Sequence, residues 1–579
     1  MCGIWCAVTT YDHIHPNKDI QQLLEHRGPD SSSSAELTLS RETHSGESQT
    51  VYTTVHSTVL ALRGDTAVKQ PFGTTTGGTL CWNGEAWEIA GERPVFDNDT
   101  VAVAQLLDGV VTRTHSSHTN ETFTSAKQAE LMAEAMAQIT GPYAFVFYDP
   151  SNGMLYFGRD FLGRRSLLWR TAGDGELLLS SVAGPMSSGD EHPWSEVEAD
   201  GLYYVDLASR YGCDDIYGSV QKVPYRFAEH AAHIGTHVVP QLSLNKDLPS
   251  SQTRLHSASS AVDQLEVLLR SSLRRRLENV PGSKDARSNS NLAVLFSGGL
   301  DCTVLARLAH DFYPKHKSID LLNVAFENPR IHKADSDAYE LCPDRITGRA
   351  SHAELMRVCP EREWVFIAIN IPYIETLAHR QRIVDLMYPH DTEMDLSIAT
   401  ALYFAARGTG VASSTADVHV PPFTTTTNAK ILLSGLGADE LFGGYQRHTT
   451  AFNRKGFPGL LQELDLDVSR LGKRNLGRDD RVISNWAREA RFPFLDEDVV
   501  AWAMAASVDK KCGFGEPKVS AEDADGSDLL EPEKKVLRCL AWKLGMKLVA
   551  KEKKRAIQFG ARTAKMETGK TKGTTSIVG

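Results

Sequence analysis

The sequence predicts an α/β protein of at least two domains, and three observations carry that expectation. The chain has 579 residues, more than one hydrophobic core accommodates, so it should divide. An apolar run, Leu292-Ala293-Val294-Leu295-Phe296, passes through Ser297-Gly298-Gly299 into the helical spacing of residues 303–310. That reads as a buried strand, a tight turn and a helix. The pattern recurs where Ile431-Leu432-Leu433 runs into Ser434-Gly435, and strands alternating with helices build parallel sheets.

Composition narrows the class. Hydrophobic residues make up 41% and charged residues 23%, ordinary values for a soluble globular chain. A net charge of −11 with a pI near 6.0 argues against nucleic acid or an anionic membrane as a partner. No apolar run of ~20 residues predicts a membrane span, and the start, MCGIWCAVTTYDHIH, lacks the form of a secretory signal. Nine scattered cysteines without a CxxC fit reduced thiols and no zinc framework, so a cytoplasmic location is expected.

The first turn carries chemistry. A strand, a glycine turn and a helix N-terminus converge backbone N–H groups on an anion, and the helix dipole favours negative charge. The lysine of a GxxxxGK[ST] loop is missing, whereas Asp301 beside the turn suits a metal held against phosphates. At the second turn Asp439 and Glu440 follow Ser434-Gly435. Asp301 and Asp439, from neighbouring strand ends, would share a Mg²⁺.

At the other end, Cys2 follows Met1 directly. Once Met1 is removed, Cys2 carries both a thiol and a free α-amine. With a reference pKa near ~8, that amine serves as a general base close to neutrality. Glu25-His26-Arg27-Gly28-Pro29-Asp30 reads as a rigid turn after a short helix. Asn83-Gly84, taken alone, is a hairpin turn, and Asn98-Asp99-Thr100 is an ordinary helix start.

Together, Cys2-Gly3-Ile4, the His26–Asp30 turn, Leu62-Arg63, Asn83-Gly84-Glu85 and Asp99-Thr100 resemble the class II glutamine amidotransferases. The resemblance continues through residues 141–150, 158–167 and 177–182, with looser inserts at 31–54 and 109–128. It implies a four-layer αββα N-terminal-nucleophile domain over residues 2–240. There Cys2 attacks the glutamine amide, while the Asn83 side chain and Gly84 N–H hold the oxyanion. Arg63 clamps the substrate carboxylate, Asp99 holds its ammonium with help from Glu85, and Arg27 and Asp30 hold the turn.

Ser297-Gly298-Gly299-Leu300-Asp301 is similar to the loop of the N-type ATP pyrophosphatases, and residues 434–445 resemble asparagine synthetases in particular. This implies a Rossmann-like ATP pyrophosphatase domain over residues 260–565, entered by a helix over 260–277. ATP would contact Leu295, Ser297, Gly298, Gly299, Asp301, Val324, Ser434 and Gly435. Mg²⁺ would sit on Asp301 and Asp439, and ammonia would reach the site through a tunnel. The expected partners are glutamine and a carboxylate acceptor, most simply aspartate going to asparagine in a ligase reaction.

Two positions depart from the pattern. Asparagine synthetases carry a glutamate, the proposed base for ammonia, where this chain has Leu436. Their catalytic lysine aligns with Ala556, leaving Lys554 or Arg555 to reach the phosphates. Both features are similar to the eukaryotic group called asparagine synthetase domain-containing proteins. They leave open a different acceptor on the same architecture, or a catalytically weakened regulatory protein that binds glutamine or ATP. Residues 229–254 read as strand fragments and connector, 413–427 as a loop, 516–533 as a solvated insert, and 565–579 as a disordered tail.

Overall fold

The computed structural model describes the chain except residues 43–45, 65, 95–97, 116–122, 172, 174, 186–191, 210–214, 226–241, 250–253, 279, 281–289, 332–336, 414–421, 518–525, 567–572 and 578–579. It divides into two compact units. The first holds residues 1–239 together with 384–390 and 472–487, and the second holds 240–383, 391–471 and 488–579. The sequence assigns both short segments to the second domain; the structure packs them in the first unit.

The first unit is built on two six-stranded sheets. In one, Gly3–Thr9 lies between Leu177–Ser180 and Ser48–Val59, antiparallel to both. In the other, Thr79–Gly84, Tyr143–Asp149, Met154–Arg159 and Gly201–Asp206 pair side by side. Successive strand side chains point to opposite faces, and the sequence uses both. Ile4, Cys6 and Val8 meet Cys81, Val146 and Phe157 between the sheets. Leu80, Trp82 and Phe145 face outward onto Val103 and Leu107 of helix Asp99–His115 and Met132 of helix Ser125–Met136. Helix Lys18–Arg27 buries Ile20, Leu23 and Leu24, and a Cβ at Gly3 would meet the Leu24 side chain at 2.9 Å. Helix, sheet, sheet and helices make the four αββα layers.

Two local expectations differ. Asn83-Gly84 does not turn; it ends the strand Thr79–Gly84, opposite Ala144 and Tyr143. The stretch read as a loose insert at 31–54 is mostly strand: Ser31–Glu42 pairs along its length with Ser48–Val59. Its Ser-rich start disguises an alternation in which Ala35, Leu37 and Leu39 pack on the inter-sheet core.

The second unit holds a seven-stranded sheet in the order Phe423–Thr426, Thr409–Ser413, Trp364–Ile371, Ile319–Phe326, Leu292–Leu295, Ile431–Leu433, Glu489–Arg491. The last five strands are parallel and the first two form an antiparallel edge. The edge hairpin replaces part of the expected 413–427 loop, whose centre lies outside the described residues. The expected helix Ser260–Leu277 is present, and a helix over Leu300–Phe312 follows the first glycine turn. The tail is partly ordered: Glu393 N–H donates to Thr575 O at 3.0 Å and Ile577 N–H to Asp391 O at 2.7 Å. The 516–533 insert is anchored too, since Glu516 pairs with Lys535 and Ser527 is buried, though 518–525 lie outside the described residues. Most of the expected 229–254 connector does as well. Among the described residues no helix is long and apolar enough to cross a membrane.

Buried ion pairs hold residues 472–487 in the first unit. Glu196 lies 3.0 Å from Arg159 and 2.6 Å from Arg481. Burial raises the Glu196 carboxyl, but Arg481 and then Arg159 outweigh it and hold the group well below the usual carboxylate range. Its stabilisation is therefore complete above the ordinary glutamate pKa and is lost as pH falls through the depressed folded value. Glu196→Gln removes the carboxylate that faces two buried guanidiniums and should cost about 3–5 kcal/mol in urea unfolding at neutral pH. A loss under about 1 kcal/mol, the size of an exposed pair, would contradict this account.

Candidate functional site

In the first unit, Cys2 enters the central strand and meets the end of the Asn83 strand. Its backbone N–H donates to Asn83 Oδ1 at 3.0 Å. Asn83 is fully buried, and its Nδ2 has no hydrogen-bond partner among the described residues. A buried amide donor left unpaired is costly, and a negative oxygen formed at Cys2 is the partner that would satisfy it. Gly84 is packed too tightly for a side chain: a Cβ would meet Pro142 O and Tyr143 Cβ at 2.7 Å. Burial pushes the Cys2 thiol up, against the chain's terminal amine, the Leu60 N–H and Arg27, which lower it. The sulfur is thus held as a thiol near neutrality.

Around this pair, Arg63 Nε donates to Glu85 Oε2 at 2.8 Å, both side chains nearly buried. Asp99 Oδ2 accepts from Trp82 Nε1 and from Ala86 N–H, each at 3.0 Å. The structure therefore sets Glu85 against Arg63 and fixes Asp99 through one oxygen. Arg27, fully buried, donates Nε to Cys2 O at 3.1 Å, and its other nitrogens reach Ser484 Oγ at 2.6 Å and Asp480 Oδ2 at 2.8 Å. Asp30 accepts from Ala61 N–H at 2.8 Å. Sequence reasoning missed Gln70, whose Nε2 lies 3.9 Å from Cys2 Sγ and whose Oε1 accepts from Trp82 N–H at 2.6 Å. Only the following proline, Pro71, marks that position in the sequence.

In the second unit, Leu292–Leu295 and Ile431–Leu433 are adjacent parallel strands, and chain order reverses between them. Ligands of such sheets bind at that reversal, beyond the strands' carboxyl ends. Both Ser-Gly turns lie there. Gly298 has φ +80° and packs on Gly348, and a Cβ at Gly435 would meet Asp301 Cβ at 2.8 Å. Ser297 Oγ accepts from Gly299 N–H at 3.3 Å and Ser434 Oγ from Leu436 N–H at 3.4 Å. Leu295 pairs with Leu322, two residues before Val324 on the next strand. The half-buried Leu436 leaves its position without an ionisable group.

Asp301 and Asp439 converge as expected, around a lysine the sequence did not suggest. Lys534 Nζ lies 2.7 and 2.8 Å from the two Asp301 oxygens and 2.9 Å from Asp439 Oδ1. Lys534 borders a stretch that reads as a solvated insert, which hid it. Lys554 pairs with Asp439 Oδ2, whereas Arg555 lies 3.5 Å from Thr347 Oγ1, so of these two it is Lys554 that joins Lys534 beside the carboxylates. Burial would raise the Asp439 carboxyl, but Lys534 and Lys554 hold it well below the usual range. Burial, with Asp439 alongside, raises the neighbouring Glu440, which accepts from Tyr445 Oη at 2.6 Å.

The donor set suits a hard cation such as Mg²⁺. Two carboxylates face one point, and the buried Asp439 Oδ1 lacks a properly aligned hydrogen bond. The described residues hold no group of three or more His, Cys, Asp or Glu side chains able to bind a metal. Remaining ligands would thus be water and phosphate, as is usual for Mg²⁺.

Comparison with known proteins assigns both halves of the chain to known domain families. Residues 1–225 match a glutamine amidotransferase domain model and residues 385–462 an asparagine synthase model. Asparagine synthetase domain-containing protein 1 of Mus musculus is 32% identical over 99% of this chain and 98% of its own length. The chain belongs to the asparagine synthetase domain-containing protein family. A Saccharomyces cerevisiae member of that family, YML096W, is 32% identical over 90% of this chain and 86% of its own. A putative glutamine-hydrolysing asparagine synthetase of Methanocaldococcus jannaschii is 24% identical over 75% of this chain and 71% of its own. The chain thus joins a glutamine amidotransferase domain to an asparagine synthase domain, an amidotransferase-like pairing.

The packing of the first turn is open to test. A Cβ at residue 298 would meet Gly348 Cα and N at 2.4 Å, on a backbone that disfavours side chains. Gly298→Ala should cost roughly 1–3 kcal/mol in urea unfolding, and unchanged stability would contradict the packing.

Proposed function

We propose that the protein is a glutamine-dependent amidotransferase of asparagine synthetase type. It hydrolyses glutamine at Cys2 and uses the ammonia to amidate an ATP-activated carboxylate, with aspartate as the acceptor. The observation that carries the reading is the pair of Ser-Gly turns at the sheet reversal, with Asp301 and Asp439 converging beside them.

At the glutaminase site the α-amine of Cys2 takes the thiol proton, and the sulfur attacks the glutamine amide carbon. Asn83 Nδ2 and the Gly84 N–H stabilise the oxyanion, ammonia leaves with the returned proton, and water releases glutamate from the thioester. Arg63 and Asp99 hold the substrate's charged ends, and Glu85 orients Arg63. At the synthetase site the turn amides of Ser297, Gly298, Gly299, Ser434 and Gly435 hold phosphate oxygens, and the backbones of Leu295 and Val324 border the adenine. The acceptor carboxylate attacks the α-phosphorus, pyrophosphate leaves, and ammonia displaces AMP from the acyl-adenylate. Mg²⁺ on Asp301 and Asp439 would neutralise charge on the leaving pyrophosphate. Lys554 adds positive charge on the same side.

Leu436 favours a second reading, the same chemistry on another acceptor, because a leucine takes no proton from ammonia.

With MgATP, glutamine and aspartate, the purified protein should form AMP, pyrophosphate and asparagine in equal amounts. Pyrophosphate release that ignores aspartate, or glutamate accumulating without asparagine, would sink the aspartate assignment. Cys2→Ala should abolish turnover with glutamine yet retain it with ammonium salts. Asn83→Ala should lower glutaminase kcat about 100- to 1,000-fold, and an unchanged kcat would remove Asn83 from the oxyanion site.

A further inference from the structure

Lys534 is not a loose surface lysine. Its side chain is 2% exposed, and its backbone has φ +52°, a conformation that residues with side chains rarely adopt. Its N–H donates to Phe442 O at 3.1 Å, at the end of the short helix that carries Asp439. The lysine is therefore set in place by the backbone, and its ammonium contacts three carboxylate oxygens at 2.7 to 2.9 Å.

Those oxygens belong to the two residues that would hold a divalent cation under the proposed function, and this inference rests on that reading. An ion bound to both carboxylates would take the position the ammonium holds, so the two exclude each other. Lys554, on the other oxygen of Asp439, leaves the contested point free and adds a second positive charge nearby.

We infer that Lys534 is a tethered counter-cation: it holds Asp301 and Asp439 together in the nucleotide-free protein and keeps a divalent cation off them until a polyphosphate arrives. A bare metal ion would strand a buried ammonium without a partner, which is strongly unfavourable. A metal–nucleotide complex brings its own anion, and the displaced ammonium turns onto a phosphate oxygen. Lys534 thereby makes metal and nucleotide binding depend on each other, and such coupling is reciprocal.

The test is equilibrium binding of Mn²⁺ alone to the full-length protein, read by calorimetry and by the spin-resonance signal of the free ion. The wild-type protein should bind Mn²⁺ no tighter than the millimolar range, and micromolar binding would overturn the inference without any variant. Lys534→Met should bind Mn²⁺ about 5- to 150-fold tighter, the usual span of such couplings. Lys534→Arg, which keeps the charge, should bind it as weakly as wild type. A methionine variant that binds Mn²⁺ no better than wild type would overturn the inference, as would an arginine variant that binds as tightly as the methionine one. These readings need no turnover, so loss of the aspartate-to-asparagine assignment leaves the result on Lys534 standing by itself.

Discussion

Two carboxylates held side by side at the ends of adjacent parallel strands require a cation between them. In the second unit the reversal of chain order between Leu292–Leu295 and Ile431–Leu433 brings Asp301 and Asp439 to one point. The close contact of Gly435 with Asp301 permits that approach. The fold answers the repulsion with Lys534 and Lys554, one buried and one half-buried. Without those ammoniums burial would drive the Asp439 carboxyl toward its neutral form. With them, Asp439 stays ionised at the end of its strand.

The first unit solves a related problem with neutral groups. Cys2 stands beside a buried carboxamide whose oxygen is occupied and whose NH₂ is not. Arg27 grips the Cys2 carbonyl while its other nitrogens hold Asp480 and Ser484, on a helix far along the chain. The Cys2 backbone is thereby tied to residues 472–487, which the first unit needs to be complete.

What was legible in the sequence is what local pattern governs. The strands Ile319–Phe326, Trp364–Ile371 and Ile431–Leu433 are apolar runs bounded by polar residues, and the two Ser-Gly turns announce themselves by their small residues. The departures at Leu436 and Ala556 were equally plain, and beside the second the structure pairs Lys554 with Asp439. Long-range packing was not legible. Nothing near Lys534 marks it as buried, because its partners lie at residues 301 and 439. Gln70 is a polar residue among polar neighbours until the fold closes over it. The 472–487 segment falls inside the 260–565 domain by its place in the chain, and only the fold shows that Asp480 and Arg481 pair with Arg27 and Glu196 of the first unit. The strand Ser31–Glu42 was missed because four consecutive serines open it, ahead of the alternation of Ala35, Leu37 and Leu39.

The central claim is that a carboxylate is activated on AMP at the paired turns, and isotope transfer tests it most directly. Aspartate labelled with oxygen-18 in its side-chain carboxylate is incubated with the protein, MgATP and glutamine, and the AMP is analysed by mass spectrometry. The account predicts that each AMP gains one labelled oxygen from aspartate as asparagine forms. Unlabelled AMP, or ADP in its place, would contradict it.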